Sequence, residues 1–268
     1  MCERPVTAPD PARVVGVGAA AERWAELQEG RGVPPEILAR APASPWVHDP
    51  AAFAAPDVPA DTPSRRAGLA LLGDGGTVLD VGCGGGAASL ALAGAASRIT
   101  AVDQQTDMLD AFAADAAARG VAVRTVPGRW PDAAPDAGTA DVVVCHHVLH
   151  NVVDLPPFVG ALTAAARCGV VVEMLAEHPM AWLDPLWARF HDLHRPRPAT
   201  TEDAVAVLAE LGTAPDVEHW EREQPPPQDV GWVTRRLCLP PEREPEVAEV
   251  LAALPPRPRR AATLTWLP

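Results

Sequence analysis

Short apolar runs alternate with helix-forming stretches through the middle of the chain. Alternation of strand and helix at this spacing is typical of βα units, whose strands run parallel in one sheet. The pattern therefore predicts an α/β fold built on a doubly wound, mostly parallel sheet. The predicted strands of this alternating part are 77–81, 99–103, 122–126, 141–145 and 169–173, with helices at 87–93, 105–119 and 155–167 between them.

The pattern is less regular on both sides of this part. Prolines dominate residues 41–64, and the segment 175–201 interrupts the alternation with tryptophans, histidines and prolines. We predict an N-terminal helical arm or lid at 1–64 and a sheet domain at 65–268, with a helical cap inserted at about 175–201. The other predicted elements are helices at 14–29, 34–40, 65–72, 201–211 and 242–254 and strands at 217–222, 233–239 and 262–267.

The first predicted strand runs directly into a glycine-rich turn, Gly82-Cys83-Gly84-Gly85-Gly86. Because glycine has no Cβ, such a turn lets a ligand approach the backbone, and a helix beginning at residue 87 would direct free N–H groups towards it. The next predicted strand ends in Asp103, 21 positions after Gly82, where a carboxylate typically binds ribose hydroxyls. Together these features predict a cofactor that contains a nucleoside.

The glycines alone are compatible with two cofactor classes, because Gly82-x-Gly84-x-x-Ala87 also satisfies the dinucleotide fingerprint. Asp80 separates the two, since a carboxylate just before the turn faces a pyrophosphate unfavourably and a cationic ligand favourably. S-adenosylmethionine (SAM) carries a sulfonium and an ammonium group and no phosphate. In Leu79-Asp80-Val81-Gly82-Cys83-Gly84-Gly85-Gly86 the chain resembles the class I SAM-dependent methyltransferases, and the resemblance extends over roughly residues 77–174.

This resemblance implies a seven-stranded, Rossmann-like domain that binds SAM and releases S-adenosylhomocysteine (SAH). It places Asp80 at the amino end of the cofactor and Asp103 at its ribose. Many relatives have an acid near the adenine where this chain has Arg129, which cannot accept a hydrogen bond, so backbone groups near Arg129 and the ring of Trp130 are expected to meet the adenine. The implied cofactor contacts are Asp80, Gly82, Cys83, Gly84, Gly86, Asp103, Gln104, Met108, Gly128, Arg129, Trp130 and His146.

A cluster of titratable side chains, His146, His147 and His150, directly follows the fourth predicted strand. In an open α/β sheet this carboxyl edge faces the ligand crevice. Histidine titrates near neutral pH, so at least one of the three is predicted to act as a general base or substrate contact. Structural hydrogen bonding is the alternative. His146 and His150 also have the i, i+4 spacing of metal ligands on a helix, but no third ligand lies nearby in the sequence and no metal is predicted.

Side chains outside the alternating part are candidates for the substrate pocket. The predicted arm and cap would shape this pocket and exclude water from it. The candidate substrate residues are Trp24, Trp46, His178, Trp182 and Trp187.

Composition narrows the choice of partner. A net charge of −13 at pH 7 disfavours nucleic acid, which requires clustered positive charge, and the one basic cluster lies at 257–260. The five cysteines are odd in number and form no CxxC pair, so reduced thiols are expected. Neither a signal peptide nor a membrane-spanning run is evident. We expect a cytoplasmic monomer or homodimer with a small-molecule substrate.

The resemblance therefore implies an enzyme that transfers the methyl group of SAM to an O, N, S or C nucleophile by in-line displacement. Three alternatives stay open: a SAM-binding enzyme that transfers no methyl group, such as a cyclase-like catalyst, an NAD-dependent Rossmann enzyme, and a binding module without catalysis.

Overall fold

One seven-stranded sheet organises the computed structural model, which describes residues 18–46, 55–222, 229–255 and 259–268. Its strands are β1 Gly76–Val81, β2 Ala96–Asp103, β3 Val123–Pro127, β4 Ala140–His146, β5 Ala166–Leu175, β6 Asp216–Glu221 and β7 Arg260–Trp266. In space they follow the order β3-β2-β1-β4-β5-β7-β6. Strand β7 runs antiparallel to both neighbours, and the other paired strands are parallel. The predicted α/β fold class is confirmed.

Helices cover both faces of this sheet. The described α-helices are α1 Ala19–Glu29, α2 Pro35–Leu38, α3 Pro63–Leu72, α4 Thr106–Ala118, α5 Ala134–Ala137, α6 Leu155–Ala165, α7 Asp184–His191, α8 Thr201–Glu210, α9 Val230–Arg236 and α10 Glu244–Ala253. Helices α3 and α4 pack on one face, and α1, α5, α6 and α8 pack on the other. Within the described part of the chain, no helix combines the length and apolar character that crossing a bilayer demands.

The central strands are buried on both faces, as parallel strands between two helical layers are. Residues 142–145 of β4 and 170–174 of β5 are all buried. Two carboxylates interrupt this apolar interior: Asp80 at the end of β1 is 1% exposed, and Glu173 near the end of β5 is 5% exposed. Burial of an ionisable group costs free energy unless a partner stabilises it. We therefore expect both carboxylates to have polar or charged partners nearby.

The helix predicted at 87–93 is wrong. After the glycine turn the chain makes consecutive turns and then one 3₁₀ turn, Leu90–Leu92. Gly84 and Gly86 have φ angles of 50° and 87°, which a right-handed helix does not accept. The glycine turn therefore presents no α-helix N-terminus to a ligand.

The strand predicted at 233–239 is also wrong, because most of it lies in helix α9. The carboxylate of Asp229 accepts a hydrogen bond from the Trp232 amide at 2.7 Å and caps the first turn. Val233 and Leu237 are both fully buried, and residues four apart share one face of a helix. The apolar pattern of this segment is that of a helix packed on one side.

The cap is larger than the predicted insertion at 175–201. One insertion, residues 176–200, follows β5 and contains α7, and a second, residues 222–259, joins β6 to β7 and contains α9 and α10. Both leave the sheet at the carboxyl ends of the parallel strands. They share one hydrophobic cluster with α2, whose buried members are Ile37, Leu183, Leu186, Trp187, Val233, Leu237, Cys238, Leu239 and Val247.

The two helices in the described part of the predicted N-terminal arm pack against different parts of the structure. Helix α1 joins the layer that contains α6 and α8, whereas α2 joins the cap. Trp24 of α1 has no exposed surface, and its indole N–H donates to the Val152 carbonyl at 2.7 Å. Trp24, predicted to contact substrate, instead anchors α1 on the loop that follows β4. Residues 1–17 and 47–54 lie outside the described part.

We predict that the shared cap core is needed for stability. Leu186→Ala in one insertion and Leu237→Ala in the other should each lower the free energy of unfolding by about 2–5 kcal/mol, because both side chains are fully buried. Leu267→Ala is the control, since Leu267 is 64% exposed and should change stability by less than about 0.5 kcal/mol. Urea unfolding measures all three. Equal stabilities of Leu237→Ala and Leu267→Ala would contradict the cap core described above.

Candidate active site

The glycine turn lies at the carboxyl end of β1 and is tied to the neighbouring strand. The amides of Gly82 and Cys83 donate to the Val102 carbonyl of β2 at 2.8 and 3.1 Å. At Gly82, where φ is 70°, a Cβ would lie 2.4 Å from Val148 Cγ2. At Gly86, where φ is 87°, it would lie 2.5 Å from Phe112 Cδ2. Only glycine satisfies both the backbone angle and the space at these two positions.

Asp80 is buried beneath this turn. Its Oδ2 accepts hydrogen bonds from the Ser89 hydroxyl at 2.5 Å and from the Ser89 amide at 3.3 Å. Its Oδ1 is fully buried and has no hydrogen-bond partner. Burial raises the pKa of Asp80 from 3.8 to about 7 despite the hydrogen bonds from Ser89. A carboxylate with a spare buried oxygen fits a cationic ligand, because such a ligand would favour the ionised form.

Asp103 links the glycine turn to the end of β2. Its Oδ2 accepts from the Gly84 amide and its Oδ1 from the Gln105 amide, both at 3.0 Å. The side chain is half-buried. A carboxylate has about four acceptor positions, so Asp103 retains acceptor capacity for hydroxyl groups beyond these two bonds.

The remaining predicted cofactor residues divide into two groups. Gly128 lies beside Asp103, since its amide donates to the Asp103 carbonyl at 2.9 Å, and Gln104 and Arg129 are exposed on the same edge. Met108 is 3% exposed. Cys83 is buried in the turn, where desolvation and the nearby charge of Asp80 raise the pKa of its thiol.

Trp130 does not offer an open face to an adenine ring. Its side chain packs in the main core with 9% exposure, and its indole N–H donates to the Phe158 carbonyl at 3.2 Å. The predicted stacking role is wrong for this structure, because the ring is committed to the packing between the loop after β3 and helix α6.

His146 is the last residue of β4 and lies beside Glu173. Its Nδ1 is 3.9 Å from Glu173 Oε2, and its Nε2 is buried without a hydrogen-bond partner. Burial lowers the pKa of His146 to about 4, against the opposing effect of the Glu173 charge. The lowered pKa favours a neutral imidazole at pH 7.

His147 follows with a strained backbone and an ionic environment. Its φ angle is 61°, in a region that residues other than glycine seldom adopt. Its Nε2 lies 3.0 Å from Glu173 Oε1 and 2.6 Å from the Arg222 guanidinium. Strained residues cluster at functional sites, and this one holds its ring between the ends of β5 and β6.

Glu173 is a buried acid of the candidate site that the sequence analysis missed. Its Oε2 accepts from the Ser64 hydroxyl at 2.5 Å, and its Oε1 is 3.7 Å from the Arg222 guanidinium. Burial raises its pKa, but the hydrogen bond from His147 and the charges of His146 and His147 lower it overall to about 2. The sequence does contain a signal for this acid, because Glu173 is the last residue of the predicted strand that follows the histidines. The carboxyl ends of parallel strands meet at the same edge of a sheet.

His150 has a structural contact and one free nitrogen. Its Nε2 is 2.9 Å from the Leu175 carbonyl, and its Nδ1 is buried without a partner. The ring of His178 lies edge-on at 5.6 Å, so this predicted substrate residue does reach the loop after β4. Burial lowers the pKa of His150 to about 4 and that of His178 to about 3.

The other predicted substrate residues lie in the cap. Trp187 is 2% exposed and belongs to the cap core, so it supports the cap and presents no surface for substrate. Trp182 is half-buried against the same core. Trp46 is 49% exposed, with the Arg236 guanidinium 4.8 Å from its ring centroid. Among the residues that the structure describes, no group of His, Cys, Asp and Glu side chains could hold a metal ion.

Comparison with known proteins identifies a family for the part of the chain that contains this site. Residues 78–169 match a family model described as a methyltransferase domain, and the match begins in the strand that carries Asp80. This part of the chain is a class I SAM-dependent methyltransferase domain. The cofactor of this domain is SAM.

Curated relatives of the methyltransferase domain carry the name ubiquinone biosynthesis O-methyltransferase. The protein from Methylobacterium nodulans is 36% identical over 94 residues, which cover 35% of this chain and 37% of the relative. The protein from Caulobacter vibrioides is 28% identical over 170 residues, which cover 56% of this chain and 68% of the relative. The chain thus matches well under half of the first relative's length.

A solved structure shares the fold of the methyltransferase domain. The protein BH2331 of Bacillus halodurans superposes with a TM-score of 0.55 at 16% identity. The superposition covers 76% of this chain and 97% of that protein.

We predict that Asp80 makes the unliganded protein less stable as pH rises. Its pKa is 3.8 when unfolded and about 7 when folded, so the folded state binds more protons between these values and stability falls across this window. Asp80→Asn should therefore gain stability relative to the wild type from pH 4 to pH 8, by at most about 1.4 kcal/mol per unit of pKa shift. Urea unfolding at several pH values measures the gain. A gain independent of pH, matching that of the exposed control Asp110→Asn, would contradict the buried environment of Asp80.

We also predict that the buried histidines stay neutral in the unliganded protein. His146 and His150, with pKa values of about 4, should show no titration above about pH 5, as followed by NMR of labelled histidine. The charge of Glu173 raises the pKa of His146, so Glu173→Gln should lower that pKa further. The exposed Glu218→Gln serves as control. An increase in the His146 pKa in Glu173→Gln would contradict the proposed pairing.

Proposed function

We propose that this chain transfers the methyl group of SAM to a hydroxyl oxygen of a small organic acceptor held between the carboxyl edge of the sheet and the cap. The observation that carries the proposal is the buried, unpartnered oxygen of Asp80 beneath the glycine turn, with Asp103 on the neighbouring strand. An acid for a cationic amino acid tail and an acid for a ribose are the two charges that a SAM site requires.

The chain's own residues would hold SAM in a defined orientation. Asp80 attracts the ammonium group, Asp103 accepts from the ribose hydroxyls, and the turn at Gly82 and Gly84 lets the amino acid part lie against the backbone. Gly128 and the exposed backbone near Arg129 flank the place for the adenine. When bound, SAM supplies a methyl group already activated by its sulfonium, so the protein contributes mainly alignment and exclusion of water.

The acceptor side is the edge formed by β4 and β5 beneath the cap. His146 has a neutral imidazole with a free Nε2, so it is the candidate general base that removes the hydroxyl proton as the oxygen attacks. Glu173 is the candidate positioning residue, because it lies on the Nδ1 side of His146 and stabilises a positive charge there. His147 and His150 have other contacts, to Glu173 with Arg222 and to the Leu175 carbonyl.

Oxygen is the proposed acceptor atom for two reasons. Both curated relatives named above are O-methyltransferases, and a base beside the acceptor is needed most when a neutral hydroxyl must lose its proton. A SAM-binding enzyme without methyl transfer is the alternative. Mass spectrometry distinguishes the two, because methyl transfer adds one carbon to the product and converts SAM to SAH.

A small molecule fits this site better than nucleic acid. The chain has a net charge of −13, and the acceptor edge lies under a cap formed by two insertions. The thiols of Cys83 and Cys145 are buried with raised pKa values, which supports a reduced, cytoplasmic setting. The proposal includes either a monomer or a homodimer.

We predict that SAH binds at the turn and that Asp103 is needed for its affinity. Asp103→Ala should raise the Kd for SAH by about 10- to 100-fold, because hydrogen bonds to a charged group contribute about 1.5–3 kcal/mol. Asp110→Ala, an exposed acid on α4, should leave Kd unchanged. Calorimetric titration measures both. A wild-type protein that binds NADH and not SAH would overturn the proposed function.

A further inference from the structure

Arg31 and Arg195 meet at the carboxylate of Asp184 in the cap, and the charge of Arg236 also acts on Arg195. Arg31 follows α1 and is 7% exposed, Arg195 follows α7 with its side chain 6% exposed, and Arg236 ends α9 half-buried. They come from the N-terminal segment and from both cap insertions. Guanidinium groups stay charged in proteins, so the burial of Arg31 and Arg195 close together favours negative charge nearby.

The charges of this arginine cluster are not balanced. Among the described residues, Asp184 is the one acid within ion-pair distance: its Oδ1 lies 2.8 Å from Arg31 and 3.9 Å from Arg195. Arg236 donates to the Pro45 carbonyl at 2.5 Å, which is a neutral partner. The Nε atoms of Arg31 and Arg195 are buried without a hydrogen-bond partner. Three positive charges therefore face one negative charge, in a chain whose net charge is −13.

The charges of Arg31, Arg195 and Arg236 all act on His178. Burial lowers its pKa to about 3, and the charges of His150, Arg31, Arg195 and Arg236 contribute to the lowering. Burial also lowers the pKa of Arg195 to about 10, with contributions from Arg31 and Arg236. The cluster forms a locally positive interior at the cap.

The cluster lies near the proposed acceptor edge, because Gln28, three residues before Arg31, donates to the His150 carbonyl at 2.8 Å. His178 contacts the ring of His150 at 5.6 Å, and His150 in turn lies 2.9 Å from the Leu175 carbonyl at the end of β5. Aromatic surface borders the cluster on the cap side, where the Arg236 guanidinium is 4.8 Å from the ring centroid of Trp46 and 5.8 Å from that of Trp232.

We propose that the cluster of Arg31, Arg195 and Arg236 binds an acidic group, a carboxylate or phosphate, on the acceptor. Arginine donates hydrogen bonds in a planar fork that matches both oxyacids. An anion here would balance the excess charge and supply acceptors to the free Nε atoms. The acceptor class is then a small organic acid that also carries the hydroxyl to be methylated. This inference rests on the proposed function.

The test uses simple anions and the full chain saturated with SAH. Sodium benzoate and sodium phosphate are compared with sodium chloride at equal ionic strength and with neutral benzyl alcohol. At about ten times its Kd, a bound anion should raise Tm by roughly 3 °C. Benzyl alcohol and sodium chloride should not produce this increase. A response to benzoate alone indicates a carboxylate acceptor, and a response to phosphate alone indicates a phosphorylated one.

Matched variants separate anion binding from a structural role. Arg195→Met and Arg236→Met should each weaken anion binding by at least about tenfold, whereas Arg98→Met, at the opposite edge of the sheet, should not change it. Asp184→Asn removes the competing negative charge and should tighten anion binding several-fold, which a purely structural cluster would not do. Equal Tm shifts with all sodium salts, or undiminished anion binding in both arginine variants, would overturn the inference. Failure of the wild type to bind SAH would instead overturn the proposed function.

Discussion

The buried carboxylate of Asp80 is the constraint on which the site depends. It lies at the end of the central strand β1, beneath a turn that only glycines can form, and one of its oxygens has no partner. Burial without full hydrogen bonding disfavours the ionised form, which explains its raised pKa. A cationic ligand reverses that preference. The burial that disfavours the ionised carboxylate is therefore the feature that suits the amino end of SAM.

The carboxyl edge of the sheet divides into two halves with different chemistry. On β1 and β2 it offers acids, Asp80 and Asp103, which suit a cationic nucleoside. On β4, β5 and β6 it offers His146, Glu173 and Arg222. The strand order changes direction between β1 and β4, and open α/β sheets bind their ligands at such a switch point. Cofactor and acceptor would therefore meet where the two halves join, beneath the cap.

Local sequence patterns predicted what depends on neighbours in the chain. The alternation of strands and helices, the glycine turn and the spacing of Asp80 and Asp103 are all short-range features. The helix predicted at 87–93 is wrong, since that segment forms turns and a 3₁₀ turn at Leu90–Leu92. The apolar segment of helix α9 predicts a strand because the cap of the helix, Asp229, lies outside that segment.

Features that depend on tertiary packing could not be predicted from the sequence. In the sequence pattern Glu173 is an ordinary strand residue. Its environment comes from contacts with Ser64 and His147, which only the fold brings close to it. The position of Trp130 after the third strand predicts stacking on adenine. In the structure, however, its ring packs in the hydrophobic core. Arg31 lies more than a hundred and sixty residues before Arg195 and Arg236 in the sequence. No local pattern could therefore place the three together.

Proton release on cofactor binding tests the central claim most directly. Because burial raises the pKa of Asp80 to about 7, most of the carboxyl should carry a proton at pH 6, and the ammonium group of SAH should expel that proton. Calorimetric titration of SAH at pH 6, repeated in buffers of different ionisation enthalpy, should show the release of close to one proton by the wild type and none by Asp80→Asn. Tight binding of SAH by the wild type without any proton release would contradict the account.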